Sequence, residues 1–83
     1  MVVGFAAETE DLLAHARAKL ERKRLDLVVA NDVSAPDSGF AVDTNRVTLL
    51  AADGTVEALP LLSKIEVAER VLEWVVGALK REA

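Results

Sequence analysis

The chain opens with the run Val2-Val3-Gly4-Phe5-Ala6-Ala7, which is uncharged and rich in β-branched residues. A second apolar run follows after a polar segment, Leu25-Asp26-Leu27-Val28-Val29-Ala30. Runs of this kind are typical of strands covered on both faces. Between them, Leu13, Ala16 and Leu20 recur at helical spacing. A strand, a helix and a second strand predict a parallel β-α-β unit with a right-handed crossover.

The first helix is predicted over residues 9–23, between strands at residues 2–7 and 25–30. Thr9 can cap its start, and Glu10 and Asp11 then fall in its first turn. The end of the helix is basic, with Lys19 and Lys23 among its last residues. This charge order complements the helix macrodipole, and we expect that to be its main purpose.

A polar loop and a hairpin are predicted next. Residues 31–45 are irregular and contain Pro36 and Gly39, which favours a loop at the carboxyl end of the second strand. Two apolar segments within residues 47–59 flank Asp53-Gly54, which is typical of a tight two-residue turn between antiparallel strands. With that turn, one face of the hairpin carries five apolar residues and is the expected core face: Val47, Leu49, Ala51, Val56 and Ala58.

A C-terminal helix is predicted over residues 64–81. It begins at a capping box, in which Ser63 and Glu66 each bond an otherwise orphaned backbone N–H. An apolar stripe follows at alternating spacings of three and four and is widened by Val71 and Val76: Ile65, Ala68, Leu72, Val75 and Leu79. We expect this stripe to pack on the sheet, although the same spacing fits a coiled-coil seam. The predicted fold class is therefore α/β: a Rossmann-like unit with a parallel β-α-β motif, an antiparallel hairpin and a C-terminal helix.

The amino-acid composition limits the kinds of function and partner that are possible. The chain has 83 residues, enough for one domain, and 52% of them are hydrophobic, so some apolar surface should meet another body. It has no cysteine, which excludes disulfides and thiolate metal sites. The net charge of -4 disfavours nucleic acid as a partner, and no apolar run approaches the roughly 20 residues that span a bilayer. We expect a soluble, cytoplasmic protein, and the abrupt entry into a strand suggests a piece of a longer one.

Candidate site residues lie where the two parallel strands should end. Ligands of open α/β sheets collect at the carboxyl ends of the strands. Residues 5–9 and the turn Ala30-Asn31-Asp32 meet that condition, although Asn-Asp is also ordinary turn chemistry. His15 has no catalytic companion at a useful spacing and is expected to be a solvated helix residue, while Trp74 should border the core or an interface. Asn31 and Asp32 could bind hydroxyls, phosphates or a hydrated magnesium ion, but the sequence assigns no catalytic residue and no metal ligand. The other loop acids lack calcium-loop spacing: Asp37, Asp43 and Asp53.

Several motifs together resemble the C-terminal part of the phosphopantothenate-cysteine ligases. They are, in chain order, residues 3–9, the basic tract at residues 16–23, residues 25–34, Gly39-Phe40, Asp43 with Asn45, the Asp-Gly hairpin, residues 59–61 and Ser63-Lys64. The resemblance covers nearly the whole chain. In bacteria this ligase is usually fused behind a phosphopantothenoylcysteine decarboxylase that uses FMN, and no part of the present chain resembles that flavin domain.

The resemblance implies a CTP-dependent ligase of coenzyme A biosynthesis. Such enzymes activate 4'-phosphopantothenate as an acyl-cytidylate with CTP and magnesium, and the amine of cysteine then displaces CMP. Phe5 matches a nucleotide-contacting aromatic residue, Lys19 and Lys23 match lysines assigned to CTP, and Asn31 and Asp32 match a loop near the reaction centre. Helix geometry argues against contact between these lysines and a nucleotide at the strand ends. At about 1.5 Å per residue, both lysines lie roughly 15–20 Å down the helix from those ends.

The resemblance also indicates what these residues lack. The family's upstream asparagine, its mobile lysine-rich flap and a second phosphate-binding helix end have no counterparts here. We therefore expect the 83 residues alone to be inactive and to self-associate as a homodimer or higher oligomer through uncovered strand edges and helix faces. The alternative interpretation is a non-catalytic, self-associating interaction module.

Overall fold

The computed structural model describes residues 1–33 and 44–82. Its elements in chain order are β1 (Val3–Glu8), α1 (Leu12–Arg22), β2 (Leu27–Asp32), β3 (Thr44–Asn45), β4 (Val47–Ala51), β5 (Val56–Ala58), β6 (Leu62–Ser63) and α2 (Lys64–Glu82). Most of the loop predicted over residues 31–45 lies outside the described residues, as do Gly39-Phe40, Asp37 and Asp43. Neither helix of the described part is both long and apolar enough to cross a membrane.

Four strands form the main sheet in the order β1-β2-β4-β5, and β3 pairs with β6 in a separate small sheet. β1 and β2 are parallel, with Val3 opposite Leu27 and Glu8 opposite Asp32. β2 with β4, and β4 with β5, are antiparallel. The predicted class is confirmed: a parallel β-α-β unit is followed by an antiparallel hairpin and a C-terminal helix.

The sheet is covered by a helix on each face. α1 packs through Ala16 and Leu20 on one side, where the buried strand residues are Ala6, Val28, Ala30 and Leu50. α2 packs through Val67, Val71 and Trp74 on the other side, against Leu27, Val29, Val47, Leu49, Ala51 and Leu59. Both faces of β2 are therefore buried, which explains its uninterrupted apolar sequence.

The start of α1 differs from the prediction. Thr9 does not cap the helix, which begins at Leu12 after Asp11 in a left-handed conformation (φ 49°), and the Asp11 side chain forms no capping bond. The helix ends near its predicted position. Arg24 takes a left-handed conformation (φ 52°), and the Leu25 N–H donates to the Leu20 carbonyl at 2.9 Å. This bond is typical of a helix closed by a left-handed residue.

The hairpin is confirmed, and its predicted core face is right for Val47, Leu49 and Ala51 but wrong for Val56 and Ala58. The Ala51 N–H donates to the Thr55 carbonyl at 2.9 Å, and the turn contains three residues, ending at Gly54 with φ 94°. The extra residue shifts the register, so that Leu50 is opposite Val56. Because a shift of one residue moves a strand to its other face, Val56 and Ala58 lie away from the core that contains Val47 and Leu49.

The apolar stripe expected to anchor α2 on the sheet does so only in part: Val71 packs on the sheet as predicted, whereas Ile65, Leu72, Val76 and Leu79 are exposed. The side chains that contact the sheet are Val67, Val71 and Trp74. Most of the predicted stripe lies on the outward side, where Ile65 is 71% exposed and Leu72 is 62% exposed. α2 is therefore apolar on two faces, and only one of them is covered by the described residues.

Candidate functional site

The predicted site segments meet at one edge of the sheet. In the parallel pair Ala7 lies opposite Asn31, and Glu8 lies opposite Asp32, so both strands deliver their carboxyl ends to the same rim. The Val33 N–H donates to the Glu8 carbonyl at 3.0 Å and extends this contact beyond the strands. Segments far apart in sequence therefore converge as the β-α-β topology requires. Their roles in binding stay predictions.

An open cleft of about 460 Å³ lies beside this rim, on the face of the sheet that carries α2. That volume falls within the usual range for small-molecule sites. Phe5, Ala7, Asn31 and Val47 line it from the strands, and Lys64 and Val67 line it from α2. The Phe5 side chain is 66% exposed. The cleft thus combines an accessible aromatic ring, an amide and an ammonium group.

Lys64 was missed as a site residue by sequence reasoning. It is the first residue of α2, and the capping box holds this helix end in place: the Ser63 N–H donates to Glu66 Oε1, and the Glu66 N–H donates to Ser63 Oγ, both at 3.1 Å. The sequence predicted the helix start from this box. Only the packing of α2 on the sheet places that start beside Phe5, and no local signal carries that information.

Lys19 and Lys23 lie on the other side of β1. The Lys19 ammonium donates to the backbone carbonyl oxygen of Phe5, which links the middle of α1 to β1. The distance along the helix therefore does not keep Lys19 away from Phe5, since the helix lies alongside the strand. Lys23 lies one turn further on, at the C-terminal cap of α1, and is exposed. Neither lysine lines the cleft that contains Asn31.

Glu8 and Asp32 are the acidic residues at the rim, where they lie opposite each other. Glu8 Oε1 lies 2.7 Å from His15 Nδ1, so His15 is a partner of the strand end rather than a solely solvated helix residue. Asp32 follows Asn31, and its N–H donates to the Arg46 carbonyl at 2.9 Å. Among residues 1–33 and 44–82, no group of three or more histidine, cysteine or acidic residues is placed to hold a metal ion.

The acid in the hairpin turn is structural. Asp53 Oδ1 accepts a hydrogen bond from the Thr55 N–H at 2.9 Å. Hydrogen bonds from the Thr55 side chain and backbone lower the pKa of this carboxyl group below its ordinary value. Asp53 therefore stabilises the turn, in agreement with its interpretation as a loop acid.

Residues 1–79 match the sequence model of one protein family, the DNA/pantothenate metabolism flavoprotein C-terminal domain. The chain belongs to this family. It is 47% identical over 81 residues to the coenzyme A biosynthesis bifunctional protein CoaBC of Bacillus subtilis, covering 98% of this chain and 20% of that protein. The CoaBC protein of Mycolicibacterium smegmatis is 48% identical over 85 residues, again covering 98% of this chain and 20% of the relative.

A solved structure agrees with the sequence comparisons. The crystal structure of the C-terminal domain of a CoaBC protein superimposes with a TM-score of 0.81 at 37% identity, covering 98% of this chain and 36% of that chain. The resemblance stated from the motifs is thereby confirmed for the family and for its C-terminal region. The chain spans about a fifth of the length of these full-length relatives.

Proposed function

We propose that this chain supplies the nucleotide side of a ligase that joins 4'-phosphopantothenate to cysteine with CTP, within the coenzyme A biosynthesis named for its relatives. The reaction passes through an acyl-cytidylate, from which cysteine displaces CMP. The observation that carries the proposal is the cleft at the shared carboxyl ends of β1 and β2, where Phe5, Asn31 and Lys64 come together. A cytosolic location is part of the same proposal.

The cleft offers the groups that a nucleotide requires. An exposed aromatic ring such as Phe5 stacks on a base, and this contact tolerates any base because every base has a π-face. The Lys64 ammonium stands at the amino end of α2, where the helix dipole also favours anions such as phosphate. Lys19 holds the Phe5 carbonyl, so it orients the strand segment that presents the ring.

Magnesium would accompany the triphosphate. This ion binds proteins through one or two carboxylates, keeps several waters and takes further oxygens from phosphate. Glu8 and Asp32 are paired neighbours at the rim, but they lie on the α1 side of the sheet, where Glu8 contacts His15, and neither of them lines the cleft. The ion would therefore be held mainly by the phosphates and by water, and it would supply charge neutralisation on the phosphates; the 2.7 Å contact between His15 Nδ1 and Glu8 Oε1 belongs to the α1 side of the rim. FMN belongs to the fused decarboxylase of the family and has no part in this proposal for residues 1–83.

Binding is tested by titrating CTP with magnesium into the isotope-labelled chain. We expect backbone NMR shifts at Phe5, Asn31 and Lys64, and weaker binding in Phe5→Ala and Lys64→Ala. Lys80→Ala is the matched control, because it removes an exposed lysine from the far end of the same helix. Shifts confined to the outer face of α2, or equal loss in Lys80→Ala, would contradict the proposed site.

Catalysis by the isolated chain is not expected. The resemblance assigns the handling of the acyl intermediate to an upstream asparagine, and neither this asparagine nor the family's mobile lysine-rich flap has a counterpart in these 83 residues. Formation of the amide from CTP, cysteine and 4'-phosphopantothenate by the purified chain would refute this part. A binding result from the NMR titration stands independently of it.

The second candidate function is a self-associating interaction module. The observation that favours it is the uncovered apolar side of α2, because large exposed apolar patches mark interaction surfaces. The NMR titration separates the two candidates: no CTP response at the rim, with concentration-dependent shifts on α2, would favour the module.

A further inference from the structure

A second, smaller pocket lies at the rim on the side of the sheet that carries α1. Its volume is about 200 Å³, which is below the usual range for drug-sized ligands and suits a smaller molecule. Asp32, Arg46 and Thr48 provide its polar groups, and Leu12 and Ala58 are part of its apolar lining. The pocket therefore combines two opposite charges and a hydroxyl group with an apolar wall.

The pairing of β2 with β4 brings the two charges together. Asn31 is opposite Val47 in this antiparallel pair. The next residues outward, Asp32 and Arg46, are therefore opposite each other, and the Asp32 N–H donates to the Arg46 carbonyl at 2.9 Å. Side chains of opposite residues lie on one face of a sheet, with Cβ atoms about 5 Å apart. Because side chains alternate along a strand, this face is the α1 face rather than the face of Val47.

A guanidinium group and a carboxylate side by side match the two charged groups of an α-amino acid. Arginine binds a carboxylate through two parallel N–H···O bonds, and a carboxylate accepts strong hydrogen bonds from an ammonium group. We propose that this pocket binds a small α-amino acid as its zwitterion, with the ligand carboxylate on Arg46 and the ligand ammonium group on Asp32. The choice of amino acid rests on the proposed function, in which it is the cysteine that is joined to 4'-phosphopantothenate.

Both charged side chains can bind a ligand beside the contacts that they already make within the chain. A guanidinium group has five N–H donors, and a carboxylate has about four acceptor positions, so neither is exhausted by one partner. Arg46 is exposed and Asp32 is half-buried, which leaves both within reach of a small molecule. The apolar wall of Leu12 and Ala58 suits a short, weakly polar side chain such as that of cysteine.

The pocket and the cleft lie on the two sides of the end of β2. Asn31 lines the cleft, Asp32 lines the pocket, and Val47 borders both. An amino acid bound at Asp32 therefore lies next to the proposed nucleotide site without occupying it. Formation of an amide requires the amine and the activated acyl group to be held close together, and two adjacent sites at one rim provide that proximity.

An NMR titration of the isotope-labelled 83-residue chain with L-cysteine under reducing conditions tests the pocket. We expect backbone shifts at Asp32, Arg46 and Thr48, with a dissociation constant on the order of 1 mM for so small a ligand. Two analogues each lack one charged group: cysteamine has no carboxylate, and 3-mercaptopropionate has no ammonium group. Each analogue should bind at least about tenfold more weakly than cysteine, since it loses one charge-assisted contact.

Substitution of the arginine tests its contact with the ligand carboxylate. Arg46→Gln should weaken cysteine binding by about tenfold or more, and Arg46→Lys should weaken it less, because lysine keeps the charge but loses the two parallel bonds. Arg22→Gln is the matched control, because it removes an exposed arginine from the last turn of α1 and should leave the affinity within about twofold. Circular dichroism confirms that each variant remains folded.

Substitution of the acid tests its contact with the ligand ammonium group. Asp32→Asn should weaken the binding of cysteine by about tenfold, since the charge that faces the ammonium group is lost. The same variant should not weaken the binding of 3-mercaptopropionate, which has no ammonium group to lose. A variant that merely disturbed the rim would weaken both ligands alike, so the comparison separates recognition from misfolding.

Equal affinities of the natural chain for cysteine and its two analogues would overturn the amino-acid site, and this comparison requires no variant to fold. Absence of shifts at Asp32 and Arg46 at cysteine concentrations about tenfold above the expected constant would overturn it as well. Phe5 and Lys64, which report on CTP, do not line this pocket. Loss of the cysteine response with an intact CTP response therefore counts against the pocket alone, whereas a missing CTP response counts against the proposed nucleotide site.

Discussion

Among the glycines of the described residues, Gly4 has the least room for a side chain. A Cβ at this position would lie 2.5 Å from Leu25 Cδ1, which is too close, although Leu25 can turn its side chain aside. We expect Gly4→Ala to lower the free energy of unfolding by about 1 kcal/mol, at the low end of overpacking costs. Urea unfolding followed by circular dichroism measures this change.

Gly77→Ala is the matched control for Gly4→Ala. A Cβ fits at Gly77, so the substitution should raise the stability of the monomer by about 0.5–1 kcal/mol, the usual gain from glycine to alanine in a helix. The comparison is made at concentrations too low for association. Equal destabilisation by both substitutions would show that neither depends on the local space that the structure describes.

The carboxyl group of Glu66 links the start of α2 to pH. Its pKa is lowered below the ordinary value by hydrogen bonds from the Ser63 backbone N–H and the Ser63 hydroxyl. A lowered folded-state pKa stabilises the fold above the unfolded-state value, about 4.3, and this contribution is lost as the pH falls below that value. We therefore expect Glu66→Gln to be less stable than the natural chain at pH 7 and nearly equal to it in acid.

Thermal unfolding between pH 3 and pH 7 checks this expectation. Ser63→Ala should cost about 1 kcal/mol at neutral pH, since it removes the oxygen that accepts the Glu66 N–H. Combining Ser63→Ala with Glu66→Gln should cost less than the sum of the two changes, because the groups act as a unit. Parallel pH profiles for Glu66→Gln and the natural chain would contradict the capping role.

At the level of elements, the sequence predicted which segments form strands and helices, but not which side of each element faces the core. The strand and helix periods placed β1, α1, β2 and α2 near their observed positions. The hairpin face depended on one residue of turn length, because Asp53-Gly54 suits a two-residue turn whereas the observed turn has three residues. Turn length is set by the pairing of β4 with β5, which local sequence does not fix.

The same limit explains the error in α2. Two apolar stripes, one through Leu72 and one through Val71, satisfy a helical period equally well, and nothing local says which one meets the sheet. The packing of Trp74 and Val71 against β2 and β4 decides this. A sequence that makes a helix apolar on two sides therefore predicts contacts on both sides, one with the sheet and one with another surface.

Paired substitutions test which stripe anchors α2. Val71→Ala removes two methyl groups from the half-buried sheet contact and should cost about 1 kcal/mol. Leu72→Ala removes a larger group from the outward side of α2 and should change monomer stability by less than about 0.5 kcal/mol. Urea unfolding monitored by Trp74 fluorescence measures both, since Trp74 is the one tryptophan in the chain. The reverse order of costs would restore the stripe predicted from the sequence.

The candidate site was predictable to the extent that it follows from topology. A parallel β-α-β unit places Phe5 and Asn31 at one rim whatever the side chains are, so the sequence predicted their convergence. Lys64 reaches the rim because α2 packs on the sheet, and His15 reaches it because α1 does. Their distance in sequence from the strand ends does not predict this proximity. Residues contributed by tertiary contact are therefore the ones that sequence reasoning missed.

For the whole molecule, the sheet order predicts an uneven distribution of stability. β2 and β4 lie inside the sheet with both neighbours present, whereas β1 and β5 are its edges among the described strands. The burial of β2 and β4 is nearly complete, and the three residues of β5 are exposed. Local opening is easiest where buried contacts are few.

Native-state hydrogen exchange measures this distribution. We expect amide protons in β2 and β4 to exchange about 100-fold more slowly than those in β5. β1 should be intermediate, because it is an edge strand like β5 but its residues are more buried. If β5 is protected as strongly as β2, its open edge must be paired with another chain. In that case Leu72→Glu, which changes only the outward side of α2, should leave the protection of β5 unchanged, so association through β5 can be told apart from association through α2.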